Sequence, residues 1–456
     1  MVHASSMSPL SLRSVAFPLA ASALLLCAVS SLRAATLCVN PAGTGGCTST
    51  INAAVAAASA GDTIRVAPGT YKEDVVITKS LSLVAWDHRK PVIDAMGLSN
   101  GIFVNGMSAA PAAGVSNVVV SGFEVKNANF EGILVANASD VTLLRNHVHD
   151  NDRALNISAG ECNNIPAFET NEGEDCGEGI HLMGADHATV IHNDVGYNAG
   201  GILTSDETGP SHNNLISENN VHDNPYDCGI TFASHGPATS VIPTATLSYG
   251  VFDNTISGNI SNHNGYQVPG AGAGVGIFAP FPGTRDSGNV VIHNRLTNNG
   301  QPGVSMHNHA WAPMAPPVNL NDNVIVGNYI SGNAADAGDA ATPGTTGINL
   351  YSVAPVWGTI VAENVIDDEA VDIAFKAPSG QMNVHLNNFM DKSIGVDNLG
   401  AGSIDATENW WKCAKGPGGA NGCATVSGPN VQFTPWLTSP YEPEGNREDA
   451  DDRDHD

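Results

Sequence analysis

The sequence predicts an all-β fold, a single parallel β-helix in which short strands stack coil upon coil. Three observations lead to this prediction: a composition rich in turn-forming residues, an asparagine repeat, and a second strand after each repeat. The chain has 49 Gly and 26 Pro in 456 residues, and only 14% of its residues are charged. Helical bundles are instead rich in Glu, Lys, Ala and Leu. The composition therefore favours strands and turns.

The asparagine repeat is the strongest signal. A short apolar strand, then Asn, any residue and an apolar residue, recurs nine times, from VTLLRNHVHDN at 141 to IDATENWW at 404. At the bend between two strands, an Asn amide can bond to the backbone and to the Asn one coil away. Such a period indicates a solenoid, whose core forms by stacking of its units. We expect a structural ladder of Asn146, Asn193, Asn219, Asn254, Asn294, Asn328, Asn364, Asn388 and Asn409.

A second strand follows each repeat and begins with Gly and an apolar residue. GIHLM from 179 and GILTS from 201 are two copies that start 22 residues apart. Their side chains alternate with a period of two, which is typical of a strand. Two or three strands per coil, each stacked on its equivalents above and below, predict a parallel β-helix.

The two ends of the chain differ from its middle. Arg13, an apolar run from Val15 to Val29 and small residues near Ala35 predict a signal peptide over residues 1–34. Residues 35–440 form the predicted β-helix domain with a cap at each end. Residues 441–456 are acidic, without apolar periodicity, and are predicted to be a disordered tail. The rest of the chain contains no run of about 20 apolar residues, so no membrane span is expected.

Each cap has its own pattern. Ile51, Ala54, Val55 and Ala58 recur at helical spacing, which predicts a short amphipathic helix that covers the first coil and its strand edge. At the other end, aromatic residues surround a probable disulfide loop, which suits a cap better than a binding cleft. These aromatic residues are Trp410, Trp411 and Trp436.

Cysteine spacing predicts three local disulfides and an oxidising compartment. The expected pairs are Cys38 with Cys47, Cys162 with Cys176, and Cys413 with Cys423. None has the spacing of a zinc site. Cys228 is left over and is interpreted as a buried free thiol. Together with the signal peptide, these pairs predict a secreted protein, periplasmic or extracellular.

These features resemble the right-handed parallel β-helix superfamily, in particular its NosD-like and pectate-lyase-like proteins. The residues that carry the resemblance are AGDTIRVAPGTYKEDVVITKSLSLVA from 60, the Asn repeat and the ENWW…GPGG…FTPWL ending, and it covers residues 36–440. It implies a right-handed coil and carbohydrate as the class of ligand. The superfamily includes lyases, epimerases, glycosidases, esterases and members without known catalysis, so the fold does not fix the reaction. The Gly-His-Gly of polygalacturonases and the Asp-Pro-His of mannuronan epimerases are missing.

Loops of varying length after the Gly-apolar strand mark a candidate binding face. Aligning the strands predicts two outward rows, with four further polar residues just beyond them. The first row contains His181, Leu203, Thr231, Phe278, Ser305 and Asn349, and the second contains Met183, Ser205, Ala233, Pro280, His307 and Tyr351. The residues beyond the rows are Asp206, Glu207, His235 and His309.

This face offers groups for uronate chemistry. His and Tyr side chains can remove a proton next to a uronic carboxyl group, and an Arg can neutralise that carboxylate. The candidate bases are His181, His235, His307 and Tyr351, and Arg285 is the candidate neutralising cation. The candidate substrate-binding residues are Asp206, Glu207, Phe278, His309 and Asn349. Asp206 and Glu207 are alternatively Ca²⁺ ligands or an acid/base pair for hydrolysis.

The sequence therefore predicts a secreted β-helix that binds or processes polysaccharide, as a uronate lyase or epimerase if it is an enzyme. The alternatives are a non-catalytic glycan-binding or surface-structural β-helix, and NosD-like periplasmic copper handling through His307 and His309. Ca²⁺ is the one cofactor considered. The net charge of −27 argues against a nucleic-acid partner, because phosphate binding needs clustered cations. We expect a monomer.

Overall fold

A computed structural model describes most of the chain. It covers residues 34–108, 113–158, 161–164, 166, 177–235, 250–268, 272–280, 283–308, 317–338, 340–419 and 422–442. Residues 1–33 and 443–456, which hold nearly all of the predicted signal peptide and acidic tail, lie outside the described residues.

Within these ranges the strands form three parallel stacks around a common core, here called the first, second and third sheets. The first sheet contains Val75–Ile77, Ile102–Asn105, Ile133–Leu144, Glu178–Asp186, Gly200–Ser205, Ile230–Ala233, Val275–Phe278, Val304–His307, Thr346–Tyr351, Val371–Lys376, Ile394–Asn398 and Thr425–Ser427. The second contains Thr36–Val39, Asp62–Val66, Leu81–Ala85, Val115–Ser121, the end of Ile133–Leu144, Thr189–Ile191, Leu215–Ser217, Thr255–Ser257, Val290–Ile292, Val324–Val326, Val356–Ala362, Gly380–His385, Ser403–Asp405 and Val431–Gln432. The third contains Thr70–Tyr71, Val92–Asp94, Glu124–Lys126, His147–His149, Asp194–Gly196, Asn220–His222, Ile260–Asn262, Arg295–Thr297, Tyr329–Ser331, Val365–Asp367 and Asn388–Phe389.

A few short strands lie outside these stacks. Ser211–His212, Val251–Phe252 and Asp286–Ser287 form a narrow strip between the first and second sheets. Leu155–Asn156 and Glu161–Cys162 pair antiparallel in an insertion. Each full coil therefore runs from the first sheet to the second, then to the third and back.

The core consists of inward side chains that stack on their equivalents one coil away. In the first sheet Ile180 pairs with Ile202, which pairs with Ile230, and all three side chains are buried. Because the strands alternate with a period of two, every second residue points into this core. The predicted all-β parallel β-helix is confirmed.

In the described part of the chain, three ladders of buried Asn, and not a single one, hold the bends between the sheets. In each, Nδ2 or the backbone N–H of one Asn donates to Oδ1 of the Asn one coil further on, at about 3 Å. The predicted ladder is confirmed except at two positions, where Asn259 and Asn387 replace Asn254 and Asn388. The ladder contains Asn146, Asn193, Asn219, Asn259, Asn294, Asn328, Asn364, Asn387 and Asn409.

The other two ladders account for one of these errors. The second contains Asn214, Asn254, Asn289 and Asn323. The third contains Asn151, Asn198, Asn224, Asn264, Asn299 and Asn333. The motif places an Asn on both sides of some strands, so the sequence pattern alone does not tell the ladders apart.

The predicted N-terminal helix is present, and a buried aromatic pair lies near the other end of the coil. The helix Ile51–Ala57 begins after Thr50, whose side chain accepts a hydrogen bond from the N–H of Ala53. Ile51, Ala54 and Val55 are buried as expected. At the other end, Trp411 is buried and packs against Phe389, with ring centroids 4.9 Å apart.

Two of the predicted disulfides, Cys38–Cys47 and Cys413–Cys423, are formed. Cys162 is also disulfide-bonded, whereas Cys176 lies outside the described residues. Cys228 is a free, half-buried thiol whose pKa is raised by burial. Among the described residues, no helix is long and apolar enough to cross a membrane.

Candidate functional site

The first sheet carries the predicted outward rows, but one strand is shifted by two residues. Gly276 pairs with Thr231 and Ser305 in the first row, so Phe278 belongs to the second row, beside Ala233 and His307. The placement of Phe278 in the first row and of Pro280 in the second was therefore wrong. Both Gly274-Val275 and Gly276-Ile277 fit the Gly-apolar pattern, and Val275 is the residue that stacks on Ile230.

Segments of variable length occur in the sequence on both sides of the first-sheet strands. Residues 236–249 and 309–316 follow such strands, and residues 167–176 precede one, but all three segments lie outside the described residues. Within the described part, residues 340–345 precede the strand Thr346–Tyr351. The predicted loops after these strands therefore fall mostly outside the described residues.

Five side chains on adjacent coils of this face are joined in one hydrogen-bonded series, here called the His181–His235 chain. His181 Nδ1 lies 3.0 Å from Glu131 Oε1, and its Nε2 lies 2.7 Å from Ser205 Oγ. The Ser205 hydroxyl donates to Glu207 Oε2. Glu207 Oε1 lies 2.6 Å from His235 Nδ1. The series thus connects two imidazoles through a hydroxyl and a carboxylate.

The chain is shielded from solvent. Glu131, His181, Ser205 and Glu207 are at most 2% exposed, and His235 is 9% exposed. Burial by itself raises the pKa of Glu207, but the charge and hydrogen bond of His235 outweigh it and lower that pKa to about 2. Glu207 is therefore a carboxylate at neutral pH, and His235 is its principal partner.

Asp206 and Asp286 lie beside this chain. Asp206 Oδ2 accepts hydrogen bonds from Ser234 Oγ at 2.8 Å and from the N–H of Gly250 at 2.7 Å. Burial, together with the charge of Asp206, raises the pKa of Asp286 well above its ordinary value. Asp286 therefore favours its neutral form more strongly than an exposed aspartate does.

Sequence reasoning missed two buried carboxylates next to His181. Neither Glu131 nor Glu178 was among the candidate site residues. Both are buried, and the N–H of Glu178 donates to Glu131 Oε2 at 2.6 Å. The signal was present as Glu-Gly-Ile at 131–133 and again at 178–180, since Ile133 and Ile180 are partners on adjacent strands.

Glycines make room for these carboxylates. A Cβ on Gly177 would lie 2.6 Å from the carboxylate of Glu131, and one on Gly200 would lie 3.0 Å from Glu178 Cγ. Gly177 also has φ of +147°, a conformation that side-chain-bearing residues rarely adopt. Local sequence therefore accommodates the two acids within the coil.

The other predicted site residues lie apart from the chain. Phe278 and His307 are in edge-to-face contact, with ring centroids 4.7 Å apart, and both are half-buried. Tyr351 pairs with His307 one coil further on and has Lys376 Nζ 5.1 Å above its ring. The structure thus supplies a half-exposed aromatic row next to the buried chain.

Three predicted residues remain. Arg285 lies over the ring of Phe252 at 4.0 Å, on the strip between the first and second sheets. Asn349 is buried and donates to Asp336 Oδ2 at 2.6 Å, a structural contact. His309 lies outside the described residues. Asp206 and Glu207 are the predicted Ca²⁺ ligands. The Asp206 carboxylate contacts Ser234 and Gly250, whereas the Glu207 carboxylate contacts Ser205 and His235. The described contacts therefore do not join the two carboxylates.

A surface pocket of about 350 Å³ opens beside the segment that carries Asp206 and Glu207. Its lining includes Gly209, Pro210 and His212, which follow those acids in sequence, and Asp186 of the neighbouring coil. The pocket is a place where a small polar group can approach this edge of the first sheet.

The match to a family model agrees with the coil topology. Residues 98–243 match a family model described as a right-handed beta helix region. A comparison with curated proteins found no match. Solved structures with similar folds include pectate lyase Pel9A, with 15% identity, a TM-score of 0.42, and coverage of 90% of this chain and 82% of that chain.

Two further structures are similar at the same level. The A-module of the mannuronan C-5 epimerase AlgE4 from Azotobacter vinelandii has 13% identity and a TM-score of 0.44, and the match covers 85% of this chain and 94% of that one. DFA-IIIase from Arthrobacter chlorophenolicus A6 has 13% identity and a TM-score of 0.45, covering 83% and 86%. The three stacked parallel sheets and the match over residues 98–243 show that this chain folds as a right-handed parallel β-helix.

Proposed function

We propose that this protein is secreted and that it binds and processes a uronate polysaccharide along its first sheet. The observation that carries the proposal is the His181–His235 chain, which joins two imidazoles through Ser205 and Glu207 on adjacent coils. Buried ionisable groups with shifted pKa values and specific partners are typical of catalytic sites. The three disulfide-bonded segments support an oxidising compartment.

His235 is the group that we assign to proton transfer. It is the most exposed member of the chain, and the Glu207 carboxylate fixes its ring at 2.6 Å. A histidine oriented by a carboxylate can remove the proton next to a uronic carboxyl group, as both β-elimination and epimerisation require. Arg285, whose backbone N–H donates to Ser234 beside His235, supplies a cation for the sugar carboxylate.

The half-exposed row of Phe278, His307 and Tyr351 would hold the flanking sugars. Aromatic rings present apolar faces with a polar edge, which suits the mixed surface of a sugar ring. This row also favours the second candidate function, a non-catalytic glycan-binding β-helix, because it does not depend on the buried chain.

An assay with uronate polymers separates the two functions. We expect the protein, with or without Ca²⁺, to generate ultraviolet absorbance from unsaturated sugar ends, or inverted uronates detectable by NMR, on one polymer of a panel. His235→Ala should lower this rate by about 100-fold or more, the usual effect of losing a general base. His192→Ala, at a solvent-exposed turn, is the matched control and should keep full activity.

The outcomes are distinct. If no polymer gives product but glycan binding persists, and is lost in Tyr351→Ala, the chain is a binding protein and not an enzyme. If product forms and His235→Ala is as active as the unmodified chain, the assignment of His235 is wrong while uronate processing stands.

A further inference from the structure

We propose that Glu131, Glu178 and His181 form a binding site for one divalent transition-metal ion such as Zn²⁺. One potential ligand atom from each residue lies within 4.8 Å of the other two. His181 Nδ1 is 3.0 Å from Glu131 Oε1 and 3.9 Å from Glu178 Oε2. Ligands at about 2 Å from a common zinc ion are separated by distances of this size.

Burial and charge point to a cation at this place. Glu131 and Glu178 bring two carboxyl groups against one imidazole ring, and all three residues are at most 3% exposed. Buried carboxylates need a positive partner or a bound metal ion to offset the loss of hydration. A divalent cation between the two acids and the ring would supply that charge.

The geometry around His181 also matches the surroundings of known metal-ligating histidines. Such a histidine usually donates its second ring N–H to a partner that fixes the ring, often a carboxylate. Here Nε2 of His181 lies 2.7 Å from Ser205 Oγ, and that hydroxyl donates to the Glu207 carboxylate. The ring is therefore oriented with Nδ1 towards the two acids before any ion binds.

The coil itself builds the site. Glu-Gly-Ile occurs on two successive coils, so stacking places Glu131 next to the start of the strand that contains Glu178 and His181. Gly177 and Gly200 leave the space that the two carboxylates occupy. The N–H of Glu178 donates to Glu131 Oε2, while Oε1 of the same carboxylate faces His181 Nδ1.

The donor set selects the class of ion. One imidazole nitrogen and two carboxylates suit zinc and similar transition metals, and three protein ligands leave one position for water or substrate. Ca²⁺ prefers six to eight oxygens, which this site does not offer. The inference goes beyond the proposed function, because a metal bound here is measurable whether or not the chain turns over a polysaccharide.

A second cluster of the same residue types provides a control. Glu124, His147 and His149 also converge within 4.8 Å, but on the half-exposed third sheet. There Lys126 Nζ lies 2.6 Å from Glu124 Oε1 and already neutralises that carboxylate. We therefore expect the buried cluster, and not this one, to hold the ion.

The test is metal content. The full chain is produced in medium with added Zn²⁺, dialysed, and analysed by inductively coupled plasma mass spectrometry. We expect one zinc per chain, at least a tenfold loss in Glu178→Gln and in His181→Ala, and no loss in His147→Ala. Substitution with Co²⁺ should give visible d–d absorption that disappears in the same two variants.

Circular dichroism and thermal unfolding confirm that each variant is folded; if His181→Ala is not, the isosteric Glu178→Gln decides. An unmodified chain without zinc or cobalt would overturn the inference, as would full metal content in Glu178→Gln. Neither result bears on the polysaccharide assay. An unmodified chain that binds the metal but is inactive on every polymer would refute only the proposed function.

Discussion

Glu369 occupies the place of an asparagine at the end of the third ladder. Its Oε1 accepts hydrogen bonds from the backbone N–H of Asn333 at 2.9 Å and from Asn333 Nδ2 at 3.0 Å. Burial raises the pKa of Glu369 to about 8, although those donors lower it. A protonated carboxyl group thus substitutes for an amide at neutral pH.

The raised pKa predicts a loss of stability with rising pH. Between the ordinary value of 4.5 and about 8, the folded state binds the Glu369 proton more tightly than the unfolded state does. This contribution to the free energy of unfolding is therefore complete below about pH 4.5 and declines as the pH rises towards 8, by about 1.4 kcal/mol for each unit of pKa difference.

Urea unfolding between pH 5 and pH 8 checks this prediction. Glu369→Gln, which cannot titrate, should show a smaller decline in stability over that interval than the unmodified chain. Glu408→Gln, at an exposed turn, should keep the original pH dependence. Identical slopes for the unmodified chain and Glu369→Gln would contradict the raised pKa.

At the residue scale, part of the site could be predicted from sequence. The alignment of the Gly-apolar strands placed His181 beside the strand that leads to Asp206 and Glu207. It also placed His235 after the equivalent strand of the next coil. The partners of these residues could not be predicted, because the bonds depend on loop paths that the strand pattern does not specify. Glu131 could have been identified from the sequence, because its Glu-Gly-Ile motif recurs at Glu178. An acidic residue just before a strand is, however, usually taken to be exposed to solvent.

The ladders are elements whose members depend on one another. Asn294 Nδ2 donates to Asn328 Oδ1 and to the carbonyl of Ile256, each at 3.0 Å, and its Oδ1 accepts from Asn259. Every one of these groups is buried, so a missing amide leaves polar atoms without partners, each at a cost of about 1–3 kcal/mol.

Asn294→Ala should therefore lower the free energy of unfolding by about 2 kcal/mol or more. Asn220→Ala is the matched control, because Asn220 is exposed on the third sheet and should change stability by less than about 0.5 kcal/mol. Equilibrium unfolding in urea measures both. Equal effects would show that the ladder amides add nothing beyond a surface asparagine.

Strand register marks the limit of prediction at the scale of elements. The period of the Asn repeat identified every coil from residue 141 onwards, because an amide ladder needs the same residue at the same bend. The predicted register was wrong where the sequence allowed two similar alignments. These were the choice of Gly274 or Gly276 as the start of a strand and the choice of Asn254 or Asn259 for the ladder. Only the stacking of inward side chains such as Val275 distinguishes them.

For the molecule as a whole, the ends are where a solenoid is vulnerable. The helix Ile51–Ala57 buries Ile51 and Val55 against the first coil, and the carboxylate of Glu73 accepts hydrogen bonds from its first N–H groups. An uncovered end would present apolar core and unpaired strand edges to another chain.

Replacing both Ile51 and Val55 by Asp should therefore detach the helix and cause concentration-dependent self-association. The paired control replaces Ala53 and Ala57, which are exposed on the same helix, by Asp. Size-exclusion chromatography with light scattering reports the mass of each. A monodisperse Ile51→Asp, Val55→Asp variant at all concentrations would remove the capping role of the helix.

The ladders have a consequence for how such a chain can change. Successive partners in the first ladder are separated by as few as 22 and as many as 47 residues, yet the hydrogen bonds between them are alike. Residues added beside the first sheet therefore leave the backbone of the coil unchanged. New segments can be inserted, lost or exchanged at that border with the frame intact, which makes the frame a stable platform on which recognition can diversify without refolding.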